Sequence, residues 1–152
     1  MCFLKKLNIL RYENAKKAFI KMNTNVEVKD AASVILIRNT KTKPSVLMGQ
    51  RGKNAAFMPK KFVFPGGAVE ETDFQINSFK PLNVNCKARM AYGCNETLVH
   101  ALTNAAIREL FEETGIILGA KEKWTGMLPY EWKQFVDLGL VPDGSKFQFV
   151  FR

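Results

Sequence analysis

The most informative nine residues of the chain are Arg108-Glu109-Leu110-Phe111-Glu112-Glu113-Thr114-Gly115-Ile116. On a helix with about 100° per residue, Glu109, Glu112 and Glu113 fall within an arc of roughly 100°. Like charges four residues apart repel, and Arg108 can pair with only one of these carboxylates. The surplus negative charge favours a hard divalent cation, which binds oxygen ligands. The alternative is a solvated helix face, as in most charge clusters.

Length and composition indicate one ordinary globular domain. The chain has 152 residues, of which 47% are hydrophobic and 24% charged, so it can bury a core. Its net charge of +9 is uneven: residues 1–61 hold 14 Lys and Arg against 3 Asp and Glu, whereas residues 62–152 hold 9 against 11. A basic first half suits phosphates or another anionic surface. A simple solubility feature is an equally weighted alternative.

Cysteine spacing and hydropathy bear on the compartment. Cys2, Cys86 and Cys94 match neither a disulfide framework nor a zinc site, so a reducing cytoplasm is the expected location. No apolar run approaches the roughly 18 residues of a membrane span. The lysine-broken N-terminus matches neither a secretory signal nor a transit peptide. We therefore expect a cytoplasmic protein with no membrane partner.

Hydrophobic patterning predicts a sheet with helices packed on it. A basic arm or short helix is expected at residues 1–29, and the folded domain at 30–152. The β-branched run at 32–38 is expected to form a hairpin with a second strand. The predicted strands are 32–38, 45–49, 61–64, 116–118, 124–128 and 147–151, with a short helix or turn at 130–138. Residues 74–94 lack a clear period, which indicates a long loop or an insertion.

The longest predicted helix runs from Glu96 to Thr114. Asn95 is its expected N-cap, and Gly115 its expected stop. Its predicted core-facing stripe is Val99, Thr103, Ala106, Ile107, Leu110 and Phe111.

Two glycines follow the strand at 61–64. Gly66 and Gly67 lack a Cβ, so the backbone can turn sharply there and approach a ligand closely. Three acidic residues follow almost at once, namely Glu70, Glu71 and Asp73. The glycine pair and the downstream glutamates are therefore considered together.

This combination resembles the box of the Nudix hydrolase family, G-x5-E-x7-R-E-U-x-E-E-x-G-U, where U is a bulky aliphatic residue. Residues 108–116 match its second half in full. The first half begins at Gly67, and Asp73 stands where the family has Glu, which shortens the side chain by one methylene. Between Asp73 and Arg108 lie 34 residues where the family pattern has seven, so about 27 are inserted within the box.

An interrupted box, and the lead-in at 46–51 and 57–67, are similar to the Nudix subgroup that cleaves coenzyme A and its acyl esters. The resemblance implies the α+β Nudix fold, a mixed β-sheet sandwiched between helices (α/β/α), with an insertion at about 74–94. Only 37 residues follow Gly115. We therefore expect a truncated or short member that lacks C-terminal elements.

The resemblance also implies a chemistry. A Nudix enzyme hydrolyses a nucleoside diphosphate linked to another moiety, and uses Mg²⁺ or Mn²⁺ to neutralise the diphosphate and activate water. By resemblance, Glu109, Glu112 and Glu113 are catalytic and hold the metal. Arg108 orients a glutamate, and Gly67 supplies backbone for metal or phosphate contact.

Other roles follow with alternatives. Substrate-binding candidates are Gly66, Gly67 and Arg51. Arg51 is equally weighted as an ordinary surface arginine. The general base stays open among the box glutamates, Glu70, Glu71 and Asp73; a solvated turn is the alternative for Glu70 and Glu71. His100, the single histidine, is assigned to packing.

Three functions stay open. The leading one is a coenzyme A or acyl-CoA diphosphatase, and the second is a Nudix hydrolase of ADP-ribose, dinucleotides or nucleoside triphosphates. The third is a Nudix-fold binding module with little activity. All three box glutamates are present, which favours catalysis. Residues 1–30 carry too few aromatics for a nucleic-acid platform, so a small nucleoside diphosphate derivative is the expected partner. A homodimer stays open.

Overall fold

The computed structural model describes residues 28–54, 59–77 and 79–151. The predicted basic arm or helix at 1–29 therefore lies almost wholly outside the described residues. Phe57 and Met58 of the lead-in also lie outside them. None of the helices in the described ranges combines the length and apolarity that crossing a bilayer requires.

The described strands are short and antiparallel. They are β1 (Ala31–Ser33), β2 (Ile37–Arg38), β3 (Ser45–Val46), β4 (Gly49–Gln50), β5 (Phe62–Val63), β6 (Gly66–Ala68), β7 (Gly119–Lys121) and β8 (Leu140–Pro142). They pair as β1–β6, β2–β3, β4–β5 and β7–β8. A parallel bridge joins Lys80 to Asp143. The strands and helices together give the expected α+β class.

The predicted strand at 32–38 is interrupted at residues 34–36, because its two ends pair with different partners. Ala32 of β1 lies opposite Gly67, whereas Ile37 of β2 lies opposite Val46. Backbone bonds continue through the interruption, where the Val34 amide donates to a Pro65 carbonyl at 2.8 Å. The predicted hairpin is therefore confirmed between β2 and β3, and the continuous strand is wrong.

Four α-helices lie in the described ranges: α1 (Glu71–Phe74), α2 (Val84–Ala91), α3 (Glu96–Thr114) and α4 (Lys133–Asp137). α3 has the predicted bounds. Asn95 Oδ1 accepts a hydrogen bond from the Leu98 amide at 2.8 Å. Gly115 ends the helix at φ 72° and ψ 4°, a left-handed conformation that favours glycine. A 3-10 turn at Tyr130–Trp132 precedes α4, which confirms the short helix predicted there.

α3 runs through the core. The predicted stripe is confirmed, because Val99, Thr103, Ala106, Ile107 and Leu110 are buried and Phe111 is partly buried. One apolar cluster forms around Ile76, Ile107, Trp132 and Phe135, and the other around Val34, Ala106 and Leu110. α3 therefore packs on α4 through the first cluster and on the β1 region through the second.

Other expectations are wrong. Of the two alternatives for residues 74–94, the long loop is wrong, because the region contains α2, whereas the insertion stays a prediction. Residues 124–128 and 147–151 form no strand. In place of the strand predicted at 116–118, β7 begins at Gly119 and pairs with β8, which the sequence did not predict. The 147–151 segment lies along α2 instead, because side chains of the insertion take its carbonyls. Asn83 Nδ2 donates to the Phe147 carbonyl at 3.2 Å, and Arg89 Nη1 to the Phe149 carbonyl at 2.7 Å.

Candidate active site

The two halves of the interrupted box meet where α1 packs on α3. Asp73 of α1 is completely buried and accepts two hydrogen bonds from Arg108. Nε donates to Oδ1 at 3.0 Å, and Nη2 to Oδ2 at 2.9 Å. This bidentate pairing matches the planar geometry of both groups. Tertiary contact thus joins two residues that the insertion separates in sequence.

Arg108 uses every N–H donor that it has. Besides the two bonds to Asp73, Nη1 donates to Glu109 Oε1 at 3.0 Å and to Glu112 Oε2 at 3.2 Å. Nη2 also donates to the Ala68 carbonyl at 3.0 Å. A guanidinium has five N–H donors, and these five bonds occupy them all. Burial alone would lower the pKa of Arg108, but the bonds to and charges of Asp73 and Glu109 raise that pKa, so the group stays charged.

The carboxylates outnumber the arginine. Glu70 Oε1 also lies 3.9 Å from Arg108 Nη1. Glu112 is 42% exposed at its side chain. Burial raises the pKa of Glu112 and the charge of Arg108 lowers it, but the negative charges of Glu109 and Glu70 leave it above the ordinary value. The cluster therefore holds an excess of negative charge that a cation would relieve.

β6 brings the glycine pair against the glutamates. The carboxylate of Glu109 lies so close to Gly67 that a Cβ there would be 2.2 Å from Oε1 and 2.4 Å from Cδ. The amide of Gly66 donates to Glu113 Oε2 at 3.1 Å. The expected sharp turn at these glycines is wrong, because both pair with β1 as strand residues. Close backbone approach is present, and here it is toward a glutamate.

The remaining candidates lie around this centre. Arg51 lies just after β4, where its backbone amide donates to the Lys61 carbonyl at 3.0 Å; phosphate binding by its side chain stays a prediction. Glu71 is exposed in the first turn of α1. His100 packs edge-on to Phe79, with ring centroids 4.2 Å apart, as its assignment to packing requires.

Sequence reasoning missed Asn104. This residue is fully buried, and its Nδ2 donates to the Asp73 carbonyl at 2.9 Å. A signal was available in the sequence: His100, Asn104 and Arg108 recur every fourth residue, so they form one polar line along a helix that is otherwise apolar at its core face.

Comparisons with known proteins agree with this geometry. No protein-family model matches the chain. It is 34% identical over 120 residues to nudix hydrolase 7 of Caenorhabditis elegans, covering 79% of this chain and 32% of that protein. It is 30% identical over 111 residues to an acyl-coenzyme A diphosphatase of Xenopus laevis, covering 57% of this chain and 28% of that protein. The chain thus spans about a third of the length of these curated relatives.

The fold points the same way. A NUDIX hydrolase from Alicyclobacillus acidocaldarius matches the structure with a TM-score of 0.55 at 21% identity, covering 80% of this chain and 59% of that one. The chain belongs to the Nudix family. The α+β Nudix fold expected from the box is therefore confirmed.

The donor set of this Nudix chain suits a hard divalent cation. Within the described ranges, no three His, Cys, Asp or Glu residues are already gathered as a metal cage, because Glu109 and Glu112 bind Arg108 while Glu113 binds the Gly66 amide. These carboxylates still lie on one side of α3, in negatively charged surroundings. The Glu109 carboxylate occupies the space that a Cβ at Gly67 would fill, so glycine is what lets this carboxylate lie against β6. Carboxylate oxygens so placed fit Mg²⁺ or Mn²⁺.

Proposed function

We propose that this Nudix chain is a metal-dependent hydrolase that cleaves the diphosphate of a nucleoside diphosphate linked to another moiety. Coenzyme A or an acyl-CoA is the leading substrate. The observation that carries the proposal is the cluster in which buried, fully bonded Arg108 fixes Glu109 and Glu112 beside β6. Glu113 completes the cluster through the Gly66 amide.

The proposed roles are of two kinds: some residues would bind the metal, and Arg108 orients the residues that bind it. Glu109, Glu112 and Glu113 would bind Mg²⁺ or Mn²⁺ beside Gly67. When bound, the metal would neutralise the diphosphate oxygens and lower the pKa of a water. Arg108 has no N–H donor left for substrate, so its role is to orient Glu109 and Glu112.

The geometry also narrows the search for the general base. Asp73 is completely buried, and its carboxylate already accepts from Arg108 and from the Glu70 amide at 2.9 Å. A carboxylate in that position cannot reach a water bound at the surface. We therefore propose that the base is one of the box glutamates, Glu70 or Glu71; Glu70 is 56% exposed at its side chain, and Glu71 is exposed as well.

The substrate rests on the relatives and on the box. One curated relative is named an acyl-coenzyme A diphosphatase, and the interrupted box resembles that subgroup. The chain spans about a third of that relative, so its activity on coenzyme A is part of the proposal. Further parts are phosphate binding by Arg51, a domain at 30–152 with its insertion at about 74–94, a cytoplasmic location and a homodimer.

A hydrolysis screen tests the proposal. Coenzyme A, an acyl-CoA, ADP-ribose, NADH and a nucleoside triphosphate are compared with Mg²⁺ and with Mn²⁺. We expect coenzyme A or its ester to be hydrolysed. Because Glu112 would bind the metal directly, Glu112→Gln should lower the rate by at least roughly 100-fold, which is the largest loss typical of residues that only support a metal ligand. Glu122→Gln makes the same chemical change at a residue that pairs with Lys80, and should leave the rate unchanged.

Each failure has a distinct meaning. The coenzyme A assignment is lost if coenzyme A and its ester are inert while ADP-ribose is cleaved. The hydrolase itself is lost if every substrate is inert, or if Glu112→Gln turns over as fast as the wild type.

A further inference from the structure

Three residues of α3 bind the segment at residues 73–76, which follows β6. Arg108 binds the side chain of Asp73, and Asn104 Nδ2 donates to the Asp73 carbonyl at 2.9 Å. His100 Nε2 lies 2.7 Å from the Ile76 carbonyl and 3.0 Å from Asn104 Nδ2. Because a carbonyl oxygen only accepts, the tautomer with the proton on Nε2 donates to Ile76. His100, Asn104 and Arg108, each four residues from the next, together form an α1 clamp.

Local contacts alone, chiefly the capping box between Glu70 and Asp73, give the segment little stability. α1 spans only Glu71–Phe74, and so short a helix has little stability of its own. In the family's box, seven residues link the first acidic position to the arginine; here 34 residues separate Asp73 from Arg108. Sequence proximity therefore does not keep the two together, and contacts made by α3 must do so.

Asn104 lowers the stability of the fold relative to an apolar residue of similar size, which indicates a role other than packing. It is completely buried, and its Oδ1 has no hydrogen-bond partner among the described residues. A buried amide oxygen without a partner is unfavourable, whereas an apolar side chain of similar size avoids that penalty. What the amide provides, and leucine would not, is the bond to the Asp73 carbonyl, together with the polar contact to His100 Nε2 at 3.0 Å.

We infer that Asn104 and His100 are positioning residues for the hydrolysis proposed above. By holding α1 they keep Asp73 on Arg108, and through Arg108 they fix Glu109 and Glu112. The link to Glu109 and Glu112 is indirect: Asn104 bonds the backbone of Asp73, and His100 lies nine residues before Glu109, about 14 Å along the helix axis. The inference rests on the proposed function for its catalytic part.

Four single variants separate positioning from simple packing. Asn104→Leu removes the amide, His100→Phe keeps the ring edge against Phe79, and His100→Gln keeps an N–H donor near the position of Nε2. Thr103→Val is the matched control, because Thr103 is buried on the same helix but its Oγ1 bonds only within α3, to the Val99 carbonyl at 2.8 Å.

The variants are compared by kcat and KM, by affinity for Mn²⁺ alone, and by hydrogen exchange at residues 70–77. We expect Asn104→Leu to lower kcat by about tenfold or more, the scale of a lost outer-shell contact, with KM little changed. It should also weaken Mn²⁺ binding several-fold and speed exchange at 70–77. His100→Phe should show the same pattern more weakly, His100→Gln should restore most of kcat, and Thr103→Val should change none of these.

The inference is overturned if Thr103→Val and Asn104→Leu lower kcat and Mn²⁺ affinity equally, or if Asn104→Leu changes neither. It is also overturned if His100→Gln is as impaired as His100→Phe. Should Asn104→Leu not fold, Asn104→Asp replaces it, since it keeps the volume and sets an acceptor against the Asp73 carbonyl. If the wild type hydrolyses nothing, the proposed function fails, and Mn²⁺ affinity with exchange at 70–77 still decides the clamp.

Discussion

The adjacent glycines of β6 have different roles, Gly66 in stability and Gly67 in the position of Glu109, and alanine substitutions should separate the two. Gly66 has φ 149°, and a Cβ there would lie 2.2 Å from the Ala32 carbonyl oxygen, which belongs to the paired backbone. Gly66→Ala should therefore cost about 3 kcal/mol in the free energy of unfolding, as overpacking against a fixed group does. At Gly67 the clash is with the Glu109 carboxylate, the movable end of a side chain.

Gly67→Ala should therefore cost less than about 1 kcal/mol of stability, because Glu109 can swing away. The same displacement should lower turnover by about 100-fold, the usual effect of a catalytic group misplaced by an ångström. Urea unfolding and steady-state kinetics measure the two effects. Gly49→Ala is the control, since nothing lies within 4 Å of its added Cβ. A Gly67→Ala enzyme with wild-type turnover would contradict the assignment of Glu109.

The sequence identified the site residues better than it identified their partners. Glu109, Glu112 and Glu113 could be grouped because helical periodicity alone places them on one arc. Asp73 was a candidate base from its position in the chain, but its burial and its two bonds to Arg108 belong to tertiary packing. Local periodicity cannot report a contact across 34 residues.

Among the elements, the insertion helix α2 holds the extended end of the described chain. Arg89 Nη1 and Nη2 donate to the carbonyls of Phe149 and Val150 at 2.7 and 3.3 Å, and the guanidinium lies 5.1 Å from the Phe149 ring centroid. Cys86 Sγ accepts from the Phe149 amide at 3.2 Å. The predicted strand at 147–151 is absent because these side chains occupy groups that a neighbouring strand would have used.

Removing Arg89 should loosen that segment alone. We expect Arg89→Ala to speed hydrogen exchange of the Phe149 amide by roughly tenfold, equivalent to about 1.4 kcal/mol of local opening. Exchange in the middle of α3 should not change. Lys87→Ala is the control on the same helix, because its ion pair with Glu96 is exposed to solvent, where such pairs contribute little to stability. Equal acceleration by both variants would show that α2 does not anchor the segment through Arg89.

At the scale of the whole molecule, charge is segregated. Residues 31–69 contain seven Lys and Arg and no Asp or Glu, and the carboxylate cluster follows directly in sequence. The net charge of +9 attracts an anionic substrate over a distance that salt screens. We therefore predict that the basic first half of the chain attracts substrate at long range, independently of any contact made by Arg51.

Salt should accordingly slow the association of substrate with the enzyme and leave the rate of the chemical step unchanged. Between about 0.05 and 0.5 M salt, kcat/KM for a diphosphate substrate should fall roughly tenfold while kcat changes little, since steering affects encounter. Charge reversal at Lys41 and Lys43, in the turn between β2 and β3, should flatten that dependence. A kcat/KM that does not respond to salt would remove the electrostatic role of the basic half.

By itself the sequence determined α3, its caps, its buried stripe and the arc of glutamates, because periodicity and capping act between residues a few positions apart. The hairpin of β2 and β3 was accessible for the same reason. Only the tertiary structure decided that Asp73 is the partner of Arg108, that Asn104 and His100 grip α1, and that the insertion binds the 147–151 segment. The four-residue spacing of His100, Asn104 and Arg108 marks a polar line on α3, but their partners depend on which distant groups meet, and no local pattern in the chain encodes that.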